Sequence, residues 1–419
     1  MEHSAASSPL LSIVIPTRNR VPYAISAIQS VLEIPHPRLE LVVQDNSDNR
    51  ELDAWICANV SDPRLRYRYT ATPLSFIHNF DAAARLTTGE YVCFIGDDDG
   101  VNPEIMDAAC WSKSEDLDAL VVRQPATYVW PGAGIPSTIF VKITDGVMRI
   151  RTFNGSLIHA DMEMEMCVFV RNGGLNYLSR NLAKLYHGLV NRRCLHSVYD
   201  KSGSYFGGLS PDIYASLALS CVAARVVVTD YPLTICGMCK VSGSVVEGAI
   251  KRHSKRLEEA PHLRYRGEYH WCELLPRIYS AETIWADSAV AALRAMGRED
   301  LVRQLNLPKL AAHCIAANQG VVRPVLRGLF MGMRIMRRNP AIVALQFVWN
   351  LLLLITGSGV KFARRICKRF LITIRMKDVR GIDGLSNMVE ASHALSRHLK
   401  ENGFSFSDCV RNQNRQITR

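Results

Sequence analysis

Nothing at the start of this 419-residue chain resembles a secretory signal. The opening "MEHSAASSPL" has neither a basic stretch nor an apolar one, and the following "LLSIVI" is too short to serve. The expected compartment is the cytoplasm. Paired cysteines are also missing. Twelve cysteines are scattered singly, and the only close pair is Cys236 and Cys239 in "CGMC". With no second pair, the C-x-x-C is a weak zinc or redox signal, and free buried thiols are expected. There is no internal repeat and no low-complexity tract. The longest mainly apolar run, "AIVALQFVWNLLLLIT" (Ala341–Thr356), has 16 residues, short of the ~20 that cross a bilayer. Acidic residues are almost absent from Val321–Arg380, where thirteen Lys and Arg face one acid, Asp378. That stretch alone accounts for the net charge of +11. Such a segment seeks an anionic surface, nucleic acid or lipid.

The composition is that of a folded protein, 48% apolar and 8% aromatic, and the length allows more than one domain. Over the first ~125 residues, apolar runs alternate with helix-like stretches. "LSIVI" (11–15), "LELVVQ" (39–44), "LRYRYT" (65–70), "YVCFIG" (91–96) and "DALVV" (118–122) read as strands. "VPYAISAIQSVLE", "ELDAWICANV", "SFIHNFDAAARL" and "PEIMDAACW" between them carry helical spacing. Apolar strands alternating with helices predict a mostly parallel sheet covered on both faces. Ligands in such folds sit at the C-terminal ends of the strands. Pro16–Arg20, Asp45–Asp48 and Asp97–Gly100 fall there. In the middle region, "PGAGIPS" predicts a turn, "LAKLYHGLV" a helix and "ARVVVTDYPL" a strand. "LSPDIYASLALSCV" predicts a helix with Ser210 as N-cap, Pro211 in its first position and Asp212 in its first turn. From about 248 the pattern is mainly helical.

Four pieces could carry chemistry. "GDDDG" places Asp97, Asp98 and Asp99 at a strand end, where a hard divalent cation would offset their mutual repulsion; a solvated turn that caps the next helix is the other reading. In "PTRNR", a Pro–Thr turn exposes backbone N–H groups and a hydroxyl, and Arg18 and Arg20 suit a phosphate. Asp45 in "VVQDNSDN" suits a base or ribose, or simply an Asx turn. Asp212 suits a general base held on a rigid element, or a carboxylate stabilised by the helix dipole.

Taken together and in this order, "LSIVIPTRNR", "LELVVQDNSDN", "ATPLSFIHNFDAAARLTTGEYVCFIGDDDGV" and "GGLSPDIYASLALS" resemble the family 2 glycosyltransferases, over about residues 10–240. The resemblance implies the GT-A fold, a Rossmann-like α/β architecture, and a nucleotide-sugar donor, with UDP-sugars foremost. It implies that Pro16, Thr17 and Arg18 line base and ribose, and that Asp45 contacts the base. It implies that the acidic run, with Asp97 and Asp98 toward the donor and Asp97 and Asp99 toward the metal, holds Mg²⁺ or Mn²⁺ against the diphosphate. Asp212 would be the catalytic base of an inverting transfer. Two departures stand out. Gly96 occupies the position where the family pattern has its first Asp, which leaves two registers open, both of them using Asp99. Pro211 precedes Asp212 where Glu is common. No Q-x-x-R-W follows, which argues for transfer of a single sugar.

The resulting division is a glycosyltransferase domain at 10–245, with a nucleotide-sugar half at 10–125 and an acceptor half at 126–245. A helical region at 246–419 follows, whose basic stretch 321–380 is expected to meet an anionic membrane. Tyr177, His187 and Asp161 are acceptor-side candidates, though a lone His on an apolar segment is more often structural. The acceptor would be lipid-linked or a saccharide, in surface polysaccharide or glycolipid assembly. Rival readings are a sugar-nucleotide pyrophosphorylase, which would need a Gly-rich phosphate loop that "PTRNR" lacks, and a non-catalytic nucleotide- or nucleic-acid-binding protein. Nucleic acid is not expected, because the basic stretch carries a Leu/Ile/Val run instead of interleaved aromatics.

Overall fold

The computed structural model describes residues 8–135, 145–242, 256–317, 319–356 and 379–417. The basic run "KFARRICKRF" (361–370) and the end of "PGAGIPS" lie outside the described residues.

The first strands are β1 (Leu11–Thr17), β2 (Leu39–Asp45), β3 (Leu65–Tyr69), β4 (Tyr91–Phe94), the short β5 (Gly100–Val101) and β6 (Ala119–Val122). Helices α1 (Val21–Leu32), α2 (Glu51–Asn59), α3 (Phe76–Ala84) and α4 (Ile105–Ser114) alternate with them. β1 pairs in parallel with β2 and β4, and β2 with β3. Both β1 and β2 are buried along their whole length, which is why both are rich in apolar residues. The period of two distributes their side chains. Val14, Val42, Val92 and Phe94 join the core beneath α3, while Ile13, Ile15, Leu41 and Val43 join the one beneath α1.

The remaining strands are β7 (Ala126–Val129), β8 (Val147–Arg151), β9 (Leu157–His159), β10 (Gly188–Asn191), β11 (Val226–Thr229), β12 (Thr234–Met238) and β13 (Val379–Ile382). Helices α5 (Met162–Arg171), α6 (Arg192–Ser202) and α7 (Pro211–Ser220) lie among them. The large sheet has the order β3-β2-β1-β4-β10-β6-β11-β9, and a smaller one the order β13-β8-β7-β12-β5. The large sheet is parallel except at β10, antiparallel to both neighbours, and at the edge strand β9.

β10 corrects the sequence reading. "LAKLYHGLV" is not helical, because its end closes the gap between β4 and β6 as a strand. His187 takes a left-handed φ of 59°. A Cβ on Gly188 would stand 2.2 Å from the Lys184 carbonyl oxygen, so the chain turns there because residue 188 has no side chain. Apolar spacing alone fits either structure for so short a run.

The C-terminal region is not wholly helical, nor is its core separate. Residues 256–280 run mostly without regular structure, and β13 adds to the small sheet beside β8. The helix Met388–Glu401 returns to the first half of the chain. Its Met388 N–H donates to Ser26 Oγ at 2.9 Å, and its Ser392 hydroxyl to the Val101 carbonyl at 2.8 Å. The helix Ala281–Ala295 packs on α7. Ser210 occupies the N-cap position of α7 without a side-chain cap. The buried Ser288 hydroxyl fixes the chain just ahead of the helix, accepting from the N–H groups of Leu209 (3.0 Å) and Ser210 (2.9 Å).

Candidate active site

A cleft of about 730 Å³ opens at the C-terminal ends of β1 and β4. Pro16, Thr17, Arg18, Asp97, Asp98, Asp99 and Asp212 all line it, as do Arg20, Lys184, Tyr186 and His187. Asp45 does not. Its carboxylate is fully buried, accepting from Ser47 N–H at 2.8 Å and from the Tyr67 hydroxyl at 2.9 Å. Asn46 takes its place in the cleft wall. The Asx-turn reading of Asp45 is the one the geometry matches, since both oxygens are engaged inside the protein.

The three aspartates are buried and differ in their partners. The end of β4 and β5 anchor the turn in two different sheets. Asp97 accepts from Thr17 Oγ1 at 2.7 Å and from Arg20 at 2.8 Å. Asp98 accepts from Arg20 at 3.4 Å and from the Ser242 hydroxyl. Asp99 has a different set of partners. Its Oδ2 accepts from Gly96 N–H (2.6 Å) and the Tyr186 hydroxyl (2.7 Å), and lies 3.2 Å from His187 Nε2. Its Oδ1 accepts from Gly237 N–H at 2.7 Å.

The electrostatics follow these partners. Burial, then repulsion by Asp99 and Asp97, pushes Asp98 up to about 6. Burial also raises Asp97, against the pull of Arg20. Burial would raise Asp99 as well, but His187, Tyr186 and Gly237 outweigh it and hold it below the ordinary carboxylate range. Burial would likewise strip His187 of its proton, yet the Asp99 carboxylate outweighs it and lifts the imidazole to about 10. Asp99 and His187 therefore form a buried ion pair, whereas Asp97 and Asp98 share one guanidinium between two carboxylates.

Two donor sets on this turn bear on a cation. Asp97 and Asp98 are hard oxygen donors facing the cleft, and two carboxylates against one Arg leave negative charge that Mg²⁺ or Mn²⁺ would neutralise, so this pair fits the expected ion. Asp99, His187 and Cys236 also bring a carboxylate oxygen, an imidazole nitrogen and a thiol within 4.8 Å of one another. That mixed set is softer. The oxygens of all three aspartates already hold protein donors.

Gly237 shows how tightly the turn is held. A Cβ there would stand 1.7 Å from the Asp98 carbonyl oxygen, and the same oxygen accepts from Trp130 Nε1 at 2.9 Å. Gly237→Ala is expected to displace the aspartate turn, lowering the melting temperature and weakening cation-dependent nucleotide binding at least tenfold. Wild-type binding in that variant would contradict the packing.

Asp212 stands at the second residue of α7, and its charge reaches both Tyr177 and Tyr186. Of the other acceptor-side candidates, Tyr177 and His187 line the cleft, while Asp161 caps α5 through Met164 N–H at 3.0 Å. Sequence reasoning did not single out Lys184 or Tyr186, and met Cys236 only as half of the C-x-x-C pair. Lys184 is 8% exposed, with its amine 5.2 Å above the Tyr177 ring, and burial lowers it to about 8. No spacing signal marks Lys184 or Tyr186, because tertiary pairing of β10 brings them to the turn.

Residues 256–280 cover the rim, where Pro261, Arg264 and Tyr265 line the cleft and the Arg18 guanidinium sits 4.7 Å above the Tyr265 ring. His262 packs edge-on to Phe76 (6.5 Å) and near Tyr279 (6.1 Å). Burial pushes it down to about 4. The unfolded chain binds that proton near 6.5. The stability involved is therefore complete above pH ~6.5 and is lost as pH falls toward 4. The melting temperature is expected to drop between pH 7 and pH 5, and to drop less in His262→Phe. Equal drops in both proteins would refute the assignment.

A mostly parallel sheet with buried aspartates at its C-terminal edge and a carboxylate across the cleft is the layout of a GT-A glycosyltransferase. Residues 12–152 match the family model described as glycosyl transferase family 2. Over 99 residues it is 33% identical to the putative colanic acid biosynthesis glycosyl transferase WcaA of Escherichia coli (strain K12). The match takes in 23% of this chain and 35% of that protein, about a third of the relative's length. Among solved structures, the chain is similar to S. aureus TarS 1–349 in complex with UDP, at 14% identity and a TM-score of 0.42, over 83% of this chain and 92% of that one. It is similar also to TarS 1–349 in complex with UDP-GlcNAc, at 14% identity and a TM-score of 0.43, over 79% and 93%. Among the described residues, no helix is long and apolar enough to cross a membrane.

Proposed function

We propose that this protein transfers one sugar from a nucleotide-sugar donor, a UDP-sugar, to an acceptor hydroxyl with inversion. The observation that carries the reading is the placement of Asp212 in one cleft with Thr17, Arg18 and the Asp97–Asp98 pair, on separate rigid elements. Pro16, Thr17 and Arg18 line the side assigned to the nucleotide. Arg20, shared between Asp97 and Asp98, is the cation already in place beside the diphosphate. A bound Mg²⁺ or Mn²⁺ at Asp97 and Asp98 would act as a Lewis acid toward the departing diphosphate.

Asp212 accepts the proton of the acceptor hydroxyl. The acceptor oxygen forms its bond to the anomeric carbon from the face opposite the nucleotide. The bond from that carbon to the diphosphate oxygen breaks, and the electron pair leaves with the nucleoside diphosphate. The acceptor is lipid-linked or a saccharide, in surface polysaccharide or glycolipid assembly on the cytoplasmic face of a membrane. The test is thermal shift against a panel of nucleotide sugars with Mn²⁺, followed by nucleotide release from whichever donor binds. Stabilisation by one donor with Mn²⁺-dependent release supports the reading. No stabilisation and no release across the panel would overturn it.

A further inference from the structure

The apolar run foreseen in the sequence is a helix over 340–356, and it presents its apolar side outward. Val343 is its buried large apolar side chain, whereas Leu345 is 72% exposed, Ile355 62% and Trp349 61%. Helical geometry places Leu345, Val348, Trp349, Leu352 and Ile355 on one side, opposite Val343. The preceding helix, Val322–Ile335, buries Val325, Leu329 and Met333 and leaves Leu326, Phe330 and Ile335 exposed. Among the described residues, twelve of the nineteen exposed large apolar side chains fall within 322–355. Water disfavours so concentrated an apolar surface, and a contiguous patch of this kind marks an interaction face.

Charge indicates what covers it. Residues 321–356 contain five arginines and no acid. On the helix Val322–Ile335, Arg323, Arg327 and Arg334 share a stripe with Leu326 and Phe330 on one side and Met331 and Ile335 on the other. Arg334 lies 5.7 Å from the Phe330 ring. Arginines among apolar neighbours can lay their stems on hydrocarbon and reach outward with their charge. A second copy docked face to face would oppose like charges. An anionic lipid surface accepts both the arginines and the apolar side chains. The described part of this helix, 340–356, spans ~25 Å against a hydrocarbon core of ~30 Å, and among the described residues no helix is long and apolar enough to cross a membrane, so a place in the interface suits it better.

We propose that helices Val322–Ile335 and 340–356 form a docking face that seats the protein on an anionic bilayer surface. The argument uses the surface alone, so it stands or falls separately from the sugar-transfer reading. The test is flotation of the full chain with vesicles of phosphatidylcholine containing about one third phosphatidylglycerol. The bulk of the protein is expected to float, with at least a tenfold weaker partition onto pure phosphatidylcholine. Leu345→Glu/Trp349→Glu/Leu352→Glu is expected to partition at least tenfold more weakly while keeping its melting temperature. Wild-type protein that stays at the bottom, or a triple variant that floats like wild type, would overturn the proposal. So would a vesicle-independent dimer that the triple substitution converts to monomer.

Discussion

Asp212→Asn is expected to lower kcat by about 10²- to 10⁴-fold, the range lost when a positioned general base is removed. The side chain keeps its size, so the cleft keeps its shape. Residues Ile213–Ser220 of α7 are all buried, and Ser288 holds the two N–H groups that precede the helix. The carboxylate is therefore carried on a fixed support. Donor affinity and the melting temperature should stay at wild-type values, because the nucleotide side of the cleft is built from β1 and the aspartate turn. Asp212→Glu should recover part of the rate. Steady-state kinetics on the acceptor, with donor binding measured separately, check all three expectations. A wild-type kcat in Asp212→Asn would remove Asp212 from the mechanism.

The second large effect separates two neighbouring aspartates. Asp99→Ala leaves two buried N–H groups and a tyrosine hydroxyl without their acceptor, and the His187 imidazolium without its counter-charge. Losing one partner of a buried charge pair costs about 3–5 kcal/mol, so this variant should unfold at a much lower temperature with or without Mn²⁺. Asp98→Asn should behave oppositely. Burial and two neighbouring carboxylates raise Asp98 to about 6, above the ordinary range, so its charged form weakens the fold above that pH. Neutral Asn there should leave the melting temperature at pH 7 unchanged or higher. It should abolish stabilisation by nucleotide sugar with Mn²⁺. An Asp99→Ala protein that melts normally and loses only its Mn²⁺ response would make Asp99 the ion's ligand and reverse this division.

β1, β2, β4 and β6 were legible in the sequence because strands buried on both faces are rich in apolar residues, while β3 is half exposed and β5 is too short to read. The helices between them were legible for the complementary reason, since each has only one face to bury. The C-terminal edge of this sheet followed, and with it most of the cleft: Pro16, Thr17, Arg18, the three aspartates and Asp212. β10 was hidden because so short a stretch, Gly188–Asn191, fits strand or helix equally. Its identity depends on the open edges of β4 and β6, which local sequence does not contain.

Residue types and their order thus determined the α/β layout, the acidic turn and the arginine-rich, acid-free stretch near the end of the chain. Tertiary structure decided which donors each carboxylate of the acidic turn meets. Three adjacent aspartates look alike in sequence. Gly237 from β12 and Tyr186 and His187 ahead of β10 hold Asp99, Arg20 and Thr17 hold Asp97, and Arg20 and Ser242 hold Asp98. The physical reason is that a buried carboxylate turns to whatever donors surround it, and these donors come from segments more than 60 residues away or from the opposite side of the sheet. Tertiary structure likewise decided that Leu345, Trp349 and Leu352 face outward, since an apolar helix reads the same whether it is covered by protein or by something else.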